Sequence, residues 1–163
     1  QVVPFLTGDN GLPAPDALNP AQLTNKERFF DLLRKRALGQ LETDPQAALT
    51  DFDAVIRGKN LIEPVTKEAR GLRVGKARAM LKLTQPQPKE ALSLLTACFA
   101  SQDVDAVEKA ELWTVTLDAA DKLRQLDPTA VQAALSPLQQ HLATAPAEVQ
   151  RRYGELVGGG QPR

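Results

Sequence analysis

The stretch "DPQAALTDFDAV", residues 44–55, predicts the fold class. Asp44 can cap the free N–H groups at the start of a helix, and Pro45 fits the first helical position, where no N–H is needed. Apolar residues then recur at three- and four-residue spacing, which indicates an amphipathic helix ending at Gly58. The preceding stretch "FFDLLRKRALGQL", residues 29–41, carries a similar apolar stripe. Together the two stretches predict a helical hairpin.

The hairpin pattern recurs further along the chain. Its first helix is matched 42 residues later and its second helix 43 residues later, again with a proline at the start of the second helix. The matched positions are Ala37, Leu38, Leu41, Pro45, Ala48, Leu49 and Phe52 in the first copy, and Ala79, Met80, Leu83, Pro88, Ala91, Leu92 and Leu95 in the second. A weaker third copy contains Leu123, Leu126, Ala134, Leu135 and Leu138. Whether this third copy is a genuine repeat stays open, because Ala and Leu are abundant throughout.

Start and stop signals divide the chain into a lead-in, three hairpins and a cap. The first 23 residues are rich in Pro and Gly without a helical period, which predicts an extended N-terminal lead-in. Thr24 and Glu27 form a capping-box pattern at the start of the first helix. Helices at 66–83 and 104–126 carry apolar residues on two faces, as helices packed between two neighbours do. We predict hairpins at 24–57, 66–100 and 104–143, a break at Ser136-Pro137, a capping helix at 146–157 and a flexible tail at 158–163.

Two stretches resemble tetratricopeptide-type helical hairpins: "RALGQLETDPQAALTDFDAV", residues 36–55, and "KARAMLKLTQPQPKEALSLLTAC", residues 76–98. In that family a small residue early in the second helix of each hairpin lets the first helix approach closely. A large apolar residue four positions later fills the space between the helices. The matching residues here are Ala48 and Ala91 at the small positions, Phe52 and Leu95 at the large ones, and Val74-Gly75 at the small step of the first helix.

This resemblance covers roughly residues 24–142 and implies an all-α, right-handed superhelical stack of about three helical hairpins with a C-terminal capping helix. It further implies an adaptor whose concave face, lined by the first helix (helix A) of each hairpin, receives a peptide or partner protein. The repeats depart from the family in length, because the usual period is about 34 residues. The family's aromatic positions in helix A are also missing from the second hairpin.

Charge is distributed unevenly, although twenty basic and twenty acidic residues balance over the whole chain. Residues 24–82 contain thirteen Lys and Arg against eight Asp and Glu, whereas residues 89–142 contain four against eight. This asymmetry suits a basic groove for an acidic peptide or phosphate backbone, or head-to-tail self-association. It equally suits a solvated helix face with pairs at i,i+4 spacing, and both interpretations stay open. The candidate partner-binding residues are Arg34, Lys35, Arg36, Arg70, Arg73 and Lys76.

No pattern typical of an active site occurs in the sequence. It contains no Gly-rich phosphate loop, HExxH or GxSxG motif, and a lone Cys98 with a lone His141 offers no set of zinc ligands. We therefore expect no enzymatic activity, no metal and no cofactor. Cys98 and Trp113 lie in apolar stripes and are expected in the core, while His141 is expected at a helix end or on the surface.

The expected function is that of a non-enzymatic scaffold or adaptor that binds a peptide or partner protein. One alternative is a nucleic-acid- or phosphate-associated helical protein using residues 24–82, and another is a helical accessory domain of a larger protein. Nucleic acid is the less favoured partner, because no aromatic residues interleave with the cations. No apolar run is long enough to predict a membrane span. The compartment stays open between a bacterial cell envelope, with a leader removed before Gln1, and the cytoplasm.

Overall fold

The computed structural model describes residues 25–158, and these residues form helices and loops with no strand. Thr24, the predicted lead-in before it and residues 159–163 of the predicted tail lie outside the described residues. The α-helices are α1 Lys26–Gln40, α2 Pro45–Gly58, α3 Lys67–Lys82, α4 Pro88–Thr96, α5 Ala106–Leu126, α6 Val131–Leu135, α7 Gln139–Leu142 and α8 Ala147–Gly158. Short 3-10 turns occupy Ala97–Ala100, Pro128–Ala130 and Ser136–Leu138. The expectation of an all-α protein is confirmed.

The starts of three helices follow from residues next to them in the sequence. The Asp44 carboxylate accepts a hydrogen bond from the Ala47 N–H at 3.1 Å, as its position before Pro45 predicts. Asp105 accepts from the N–H of residue 108 at 2.8 Å in the same way, at the start of α5. Thr66 starts α3 by accepting from Ala69. Local sequence is therefore sufficient to begin these helices.

Helix α2 ends at Gly58, as predicted, and a later residue makes the turn that follows it. Gly58 is its last helical residue, but the chain turns two residues later, at Asn60, whose φ is 54°. Leu61 N–H donates to the Ile56 carbonyl at 2.8 Å and closes the turn, which is a common way to satisfy the last carbonyls of a helix. Asn tolerates this left-handed conformation better than most side chains do. Asn60 rather than Gly58 therefore supplies the turn.

Each of the first five helices packs against the next one along the chain. In addition, α3 contacts α5, and α5 contacts α8. The two helices predicted to be packed on both sides have several neighbours: α3 contacts α2, α4 and α5, and α5 contacts α3, α4, α6 and α8. The predicted break at Ser136-Pro137 is also found, since a 3-10 turn there separates α6 from α7. This order of contacts is consistent with a helical repeat.

The core consists of two apolar clusters along the row of helices. The first joins α1, α2 and the inner face of α3 around Phe30 and Phe52. The second joins α3 to α8 around Trp113, whose ring lies 4.7 Å from that of Phe99 and 6.4 Å from that of Tyr153. The Tyr153 hydroxyl donates to the Leu135 carbonyl at 2.9 Å and attaches α8 to α6. The expected core position of Trp113 is confirmed, because its side chain is fully buried.

Two glycines let neighbouring helices approach closely. A Cβ atom placed on Gly75 of α3 would lie 2.5 Å from the ring of Phe52, and one placed on Gly58 would lie 2.2 Å from the ring of Phe30. Both rings are buried and tightly packed, so they have little room to move aside. Gly75 is therefore needed for α2 and α3 to pack at their observed distance.

Replacing Gly75 with alanine is expected to lower the free energy of unfolding by about 1–3 kcal/mol, because the new methyl group overlaps the Phe52 ring. Gly71, one turn earlier on α3, is the matched control, since a Cβ there meets no atom within 4 Å. Gly71→Ala is expected to stabilise the helix by up to about 1 kcal/mol. Urea unfolding followed by circular dichroism measures both changes. Equal effects of the two substitutions would contradict the close approach at Gly75.

Candidate functional site

The six cations expected to bind a partner lie on α1 and α3. Arg34 and Lys35 both contact Asp31 on α1 at 3.0 Å. Hydrogen bonds from Lys35 and then Arg34 hold the pKa of the Asp31 carboxyl below its usual value. These are the exposed or half-exposed pairs at i,i+3 and i,i+4 spacing that one interpretation of the sequence anticipated, and such pairs contribute little to stability.

Arg36 and Lys76 connect different helices. The Arg36 guanidinium makes a two-pronged contact with Asp51 of α2, at 2.6 and 2.8 Å. Lys76 of α3 lies 2.6 Å from Asp53, also on α2. Arg36 therefore attaches α1 to α2, and Lys76 attaches α2 to α3. Both cations are largely covered by the helices that they join.

Arg70 is buried at the centre of a polar cluster formed by α3, α5 and two loops. Its guanidinium forms a two-pronged contact with Glu108 of α5 and a 3.0 Å hydrogen bond with Asp103. It also donates to the Pro64 carbonyl at 3.5 Å and the Val65 carbonyl at 3.3 Å. The hydrogen bonds that it donates to Glu108 raise the pKa of Arg70 above its already high value. With no exposed side chain, Arg70 cannot contact a partner in this arrangement, and we assign it a structural role.

Arg73, one turn after Arg70, binds two backbone carbonyls. It donates to Ile62 O at 2.7 Å and to Leu94 O at 3.1 Å. Leu94 lies near the end of α4, where the predicted helix 87–100 changes into the 3-10 turn at 97–100. Arg73 thus satisfies a backbone carbonyl near the end of α4 and links this end of the helix to the loop between α2 and α3.

The predicted cations therefore do not converge on one groove. Three of them, Arg36, Arg70 and Lys76, link separate helices, and Arg73 holds a loop and a helix end. Only Arg34 and Lys35 lie mainly towards the surface of α1. Apart from Arg70, whose burial assigns it to the interior, partner binding by these residues stays a prediction.

Two clefts lie on the side of the molecule formed by the A helices, α1, α3 and α5. The first, the central cleft, encloses about 470 Å³ between the end of α1, α3 and α5. Its lining consists of Leu41, Glu42, Arg78, Leu81, Lys82, Val115, Asp118 and Lys122. A second cleft of about 410 Å³ lies between α1 and the first half of α3 and includes the predicted residue Arg34 beside Leu38.

Most charges around the central cleft are paired with a neighbour. Lys82 lies 2.6 Å from Glu42, and Asp118 lies 3.3 Å from Arg152 of α8. Lys122 is different, because it forms no ion pair anywhere in residues 25–158. The cleft thus combines apolar side chains with a lysine that has no ion-pair partner among the described residues. The sequence did not lead us to predict this cleft. The charged residues Arg78 and Lys82, and Asp118 and Lys122, each at i,i+4 spacing on an A helix, could have indicated it.

The remaining candidate side chains have structural surroundings. Cys98 is buried, as expected, and burial raises the pKa of its thiol to about 11, so it is not a ready nucleophile. His141 is partly buried, with its ring 5.5 Å from that of Phe99. Within residues 25–158 no group of three or more His, Cys, Asp and Glu side chains could hold a metal ion. The described helices include none that is long and apolar enough to cross a membrane.

The identity of the chain cannot be taken from relatives. No family model, curated protein or solved structure matches it. The function of the chain is therefore inferred from the geometry of the described residues.

Replacing Arg70 with methionine is expected to lower the free energy of unfolding by about 3–5 kcal/mol, because it leaves the Glu108 carboxylate buried without a partner. The Glu108 side chain is only 8% exposed. Adding Glu108→Leu is expected to recover most of this loss. The control is Arg78→Met, whose partner Glu111 is 48% exposed and whose loss should cost less than about 1 kcal/mol. Urea unfolding of the full double-mutant cycle measures the coupling, and strictly additive losses would contradict the buried pair.

Acidification between about pH 7.5 and 5.5 is expected to destabilise the fold through His141. Burial, followed by the charge of Lys109, holds the pKa of His141 below its usual value. The unfolded chain therefore protonates His141 more readily than the folded chain does. The corresponding part of the free energy of unfolding is present above the ordinary histidine pKa and is lost as the pH falls below that value. His141→Gln should flatten the dependence of the thermal midpoint on pH in this window. An unchanged slope in the variant would contradict this assignment.

Proposed function

We propose that this protein is a non-enzymatic scaffold or adaptor that binds a peptide segment of a partner protein in the central cleft. The proposal includes the finer architecture, a tetratricopeptide-like right-handed superhelical stack of three hairpins in which α8 covers the last one. The packing of helices in chain order supports it. So does the burial of Ala48 and Ala91 where helix A approaches, with Phe52 and Leu95 filling the adjacent space.

The composition of the central cleft is the observation that carries the binding proposal. Leu41, Leu81 and Val115 give it an apolar floor, and contributions from three A helices make its shape depend on the stack. Among the described residues, each other charged side chain of the lining has an ion-pair partner within the lining or beside it, and Lys122 has none. An occupant therefore gains most by burying an apolar side chain and placing one carboxylate against Lys122.

Association with nucleic acid or phosphate, the first alternative, has weaker support. A surface that binds a phosphate backbone needs several cations that are not already paired. Each such cation that contacts a phosphate displaces a counterion from the nucleic acid. In the described part of the basic half, Arg36, Arg70 and Lys76 are bonded to carboxylates of neighbouring elements. No observation specifically favours the second alternative, an accessory domain of a larger protein.

Selection of random displayed peptides against the intact protein is expected to enrich sequences with an acidic residue beside apolar ones. Lys122→Glu should then weaken the binding of an enriched peptide about tenfold, because it replaces attraction by repulsion. The matched control is Lys89→Glu, an exposed lysine of α4 that likewise forms no ion pair among the described residues. Calorimetry on the wild type and both variants measures the affinities.

Three results would contradict the proposal. They are failure to enrich any peptide, equal weakening by both charge reversals, and binding that persists unchanged in Lys122→Glu. Circular dichroism must show that the variants keep their helix content, so that a lost affinity cannot reflect unfolding.

A further inference from the structure

The loop at residues 59–66, between α2 and α3, is held at its start, its middle and its end. Lys59 lies 2.8 Å from Glu27 of α1, which ties the start of the loop to the first hairpin. Arg73 binds the Ile62 carbonyl, and Arg70 binds those of residues 64 and 65. The Ser101 hydroxyl also donates to the Pro64 carbonyl at 2.8 Å. A loop with this many backbone contacts loses little conformational entropy when it binds something.

Two branched apolar side chains nevertheless point into solvent from this loop. Ile62 is 55% exposed and Val65 is 71% exposed. Single exposed apolar residues are ordinary on protein surfaces and carry no meaning alone. Here they lie three residues apart on an immobilised backbone, and β-branched side chains have few rotamers to lose. Their presentation suits a surface that docks onto a partner.

Two exposed carboxylates lie near these two side chains, and the nearby cations Lys67 and Arg73 are each bonded to another group. Glu63 between them is exposed and forms no ion pair within the described residues. Asp103, on the adjacent loop at 101–105, keeps 65% of its side chain exposed while bonded to Arg70. The same Arg70 nitrogen contacts both Asp103 and the Val65 carbonyl, so the two loops lie side by side. We call Ile62, Glu63, Val65 and Asp103 the acidic loop edge.

An occupant of the acidic loop edge must present cations around an apolar side chain. On the outer face of α1, Arg28 and Lys35 flank Leu32 at i, i+4 and i+7, and Lys35 is paired with Asp31 of the same helix. Leu32 is 42% exposed, and Arg28 forms no ion pair in the described part of the chain. Residues 1–24 contain Asp9 and Asp16 but no Lys or Arg, so their charge does not match this edge.

We propose that the acidic loop edge docks onto the Arg28–Leu32–Lys35 face of α1 in a second copy of this chain. The two surfaces are different, so the contact is head-to-tail and each copy keeps one surface of each kind. The contact is small, and such interfaces belong to weak, reversible association. It uses neither the central cleft nor Lys122, so it stands or falls independently of peptide binding there.

Sedimentation velocity of the full chain over a wide concentration range tests this contact. The wild type is expected to associate reversibly, more strongly at low salt than at high salt. Glu63→Lys and Arg28→Glu should each weaken association about tenfold or more. An equimolar mixture of the two variants should associate again, because the introduced lysine of one variant then faces the introduced glutamate of the other, and the unchanged Glu63 faces the unchanged Arg28. Glu90→Lys, an exposed change on α4, is the matched control and should behave as the wild type.

A wild type that stays monomeric at the highest soluble concentration would overturn the proposal. Association unaffected by Glu63→Lys would also overturn it, since another surface would then be responsible. Failure of the mixture to recover association, with both variants still helical by circular dichroism, would show that the two surfaces do not meet. Val65→Ser adds a test without any change of charge, and it should weaken association while leaving its salt dependence intact.

Discussion

The buried guanidinium of Arg70 is the interaction on which the rest of the structure depends. It joins α3 to Glu108 of α5 and to the loops at 59–66 and 101–105, so that one side chain sets the position of the second hairpin relative to the third. A charge inside a protein is tolerated only when its partners are in place, which makes the arrangement all-or-none. Arg73 extends it by binding carbonyls of the first loop and of α4.

This cluster also orders the connections between successive hairpins. Tetratricopeptide hairpins follow one another with a period of about 34 residues, whereas the pattern here repeats after 42–43. The connections between successive hairpins are long, at 59–66 and 97–105. Loops of this length cost conformational entropy unless something orders them. Arg70 and Arg73 donate to carbonyls of the first connection, and Arg70 also binds the Asp103 side chain in the second.

Several of the cations that suggested a binding groove form ion pairs between helices. The candidate surfaces for a partner therefore lie elsewhere on the molecule. Arg36, Arg70 and Lys76 each neutralise a carboxylate on another element, so little of their charge reaches a ligand. What remains is a cleft in which Lys122 forms no ion pair with a described residue, and an ordered loop with exposed apolar side chains. The two surfaces differ in charge, and hence in the kind of segment that each can receive.

The sequence by itself determined the helices, because their signals are local: Asp44 and Asp105 cap α2 and α5, apolar spacing marks the buried faces, and Pro137 interrupts the third unit. It also placed Trp113 and Cys98 in the core. Only the tertiary structure decided what the charged residues do. Arg70 and Glu108 are 38 positions apart, and no local pattern distinguishes a buried arginine from a solvated one. Clefts likewise arise only where separate helices meet, as at Lys82 and Lys122, since the spacing between helices depends on contacts such as that of Gly75 with Phe52.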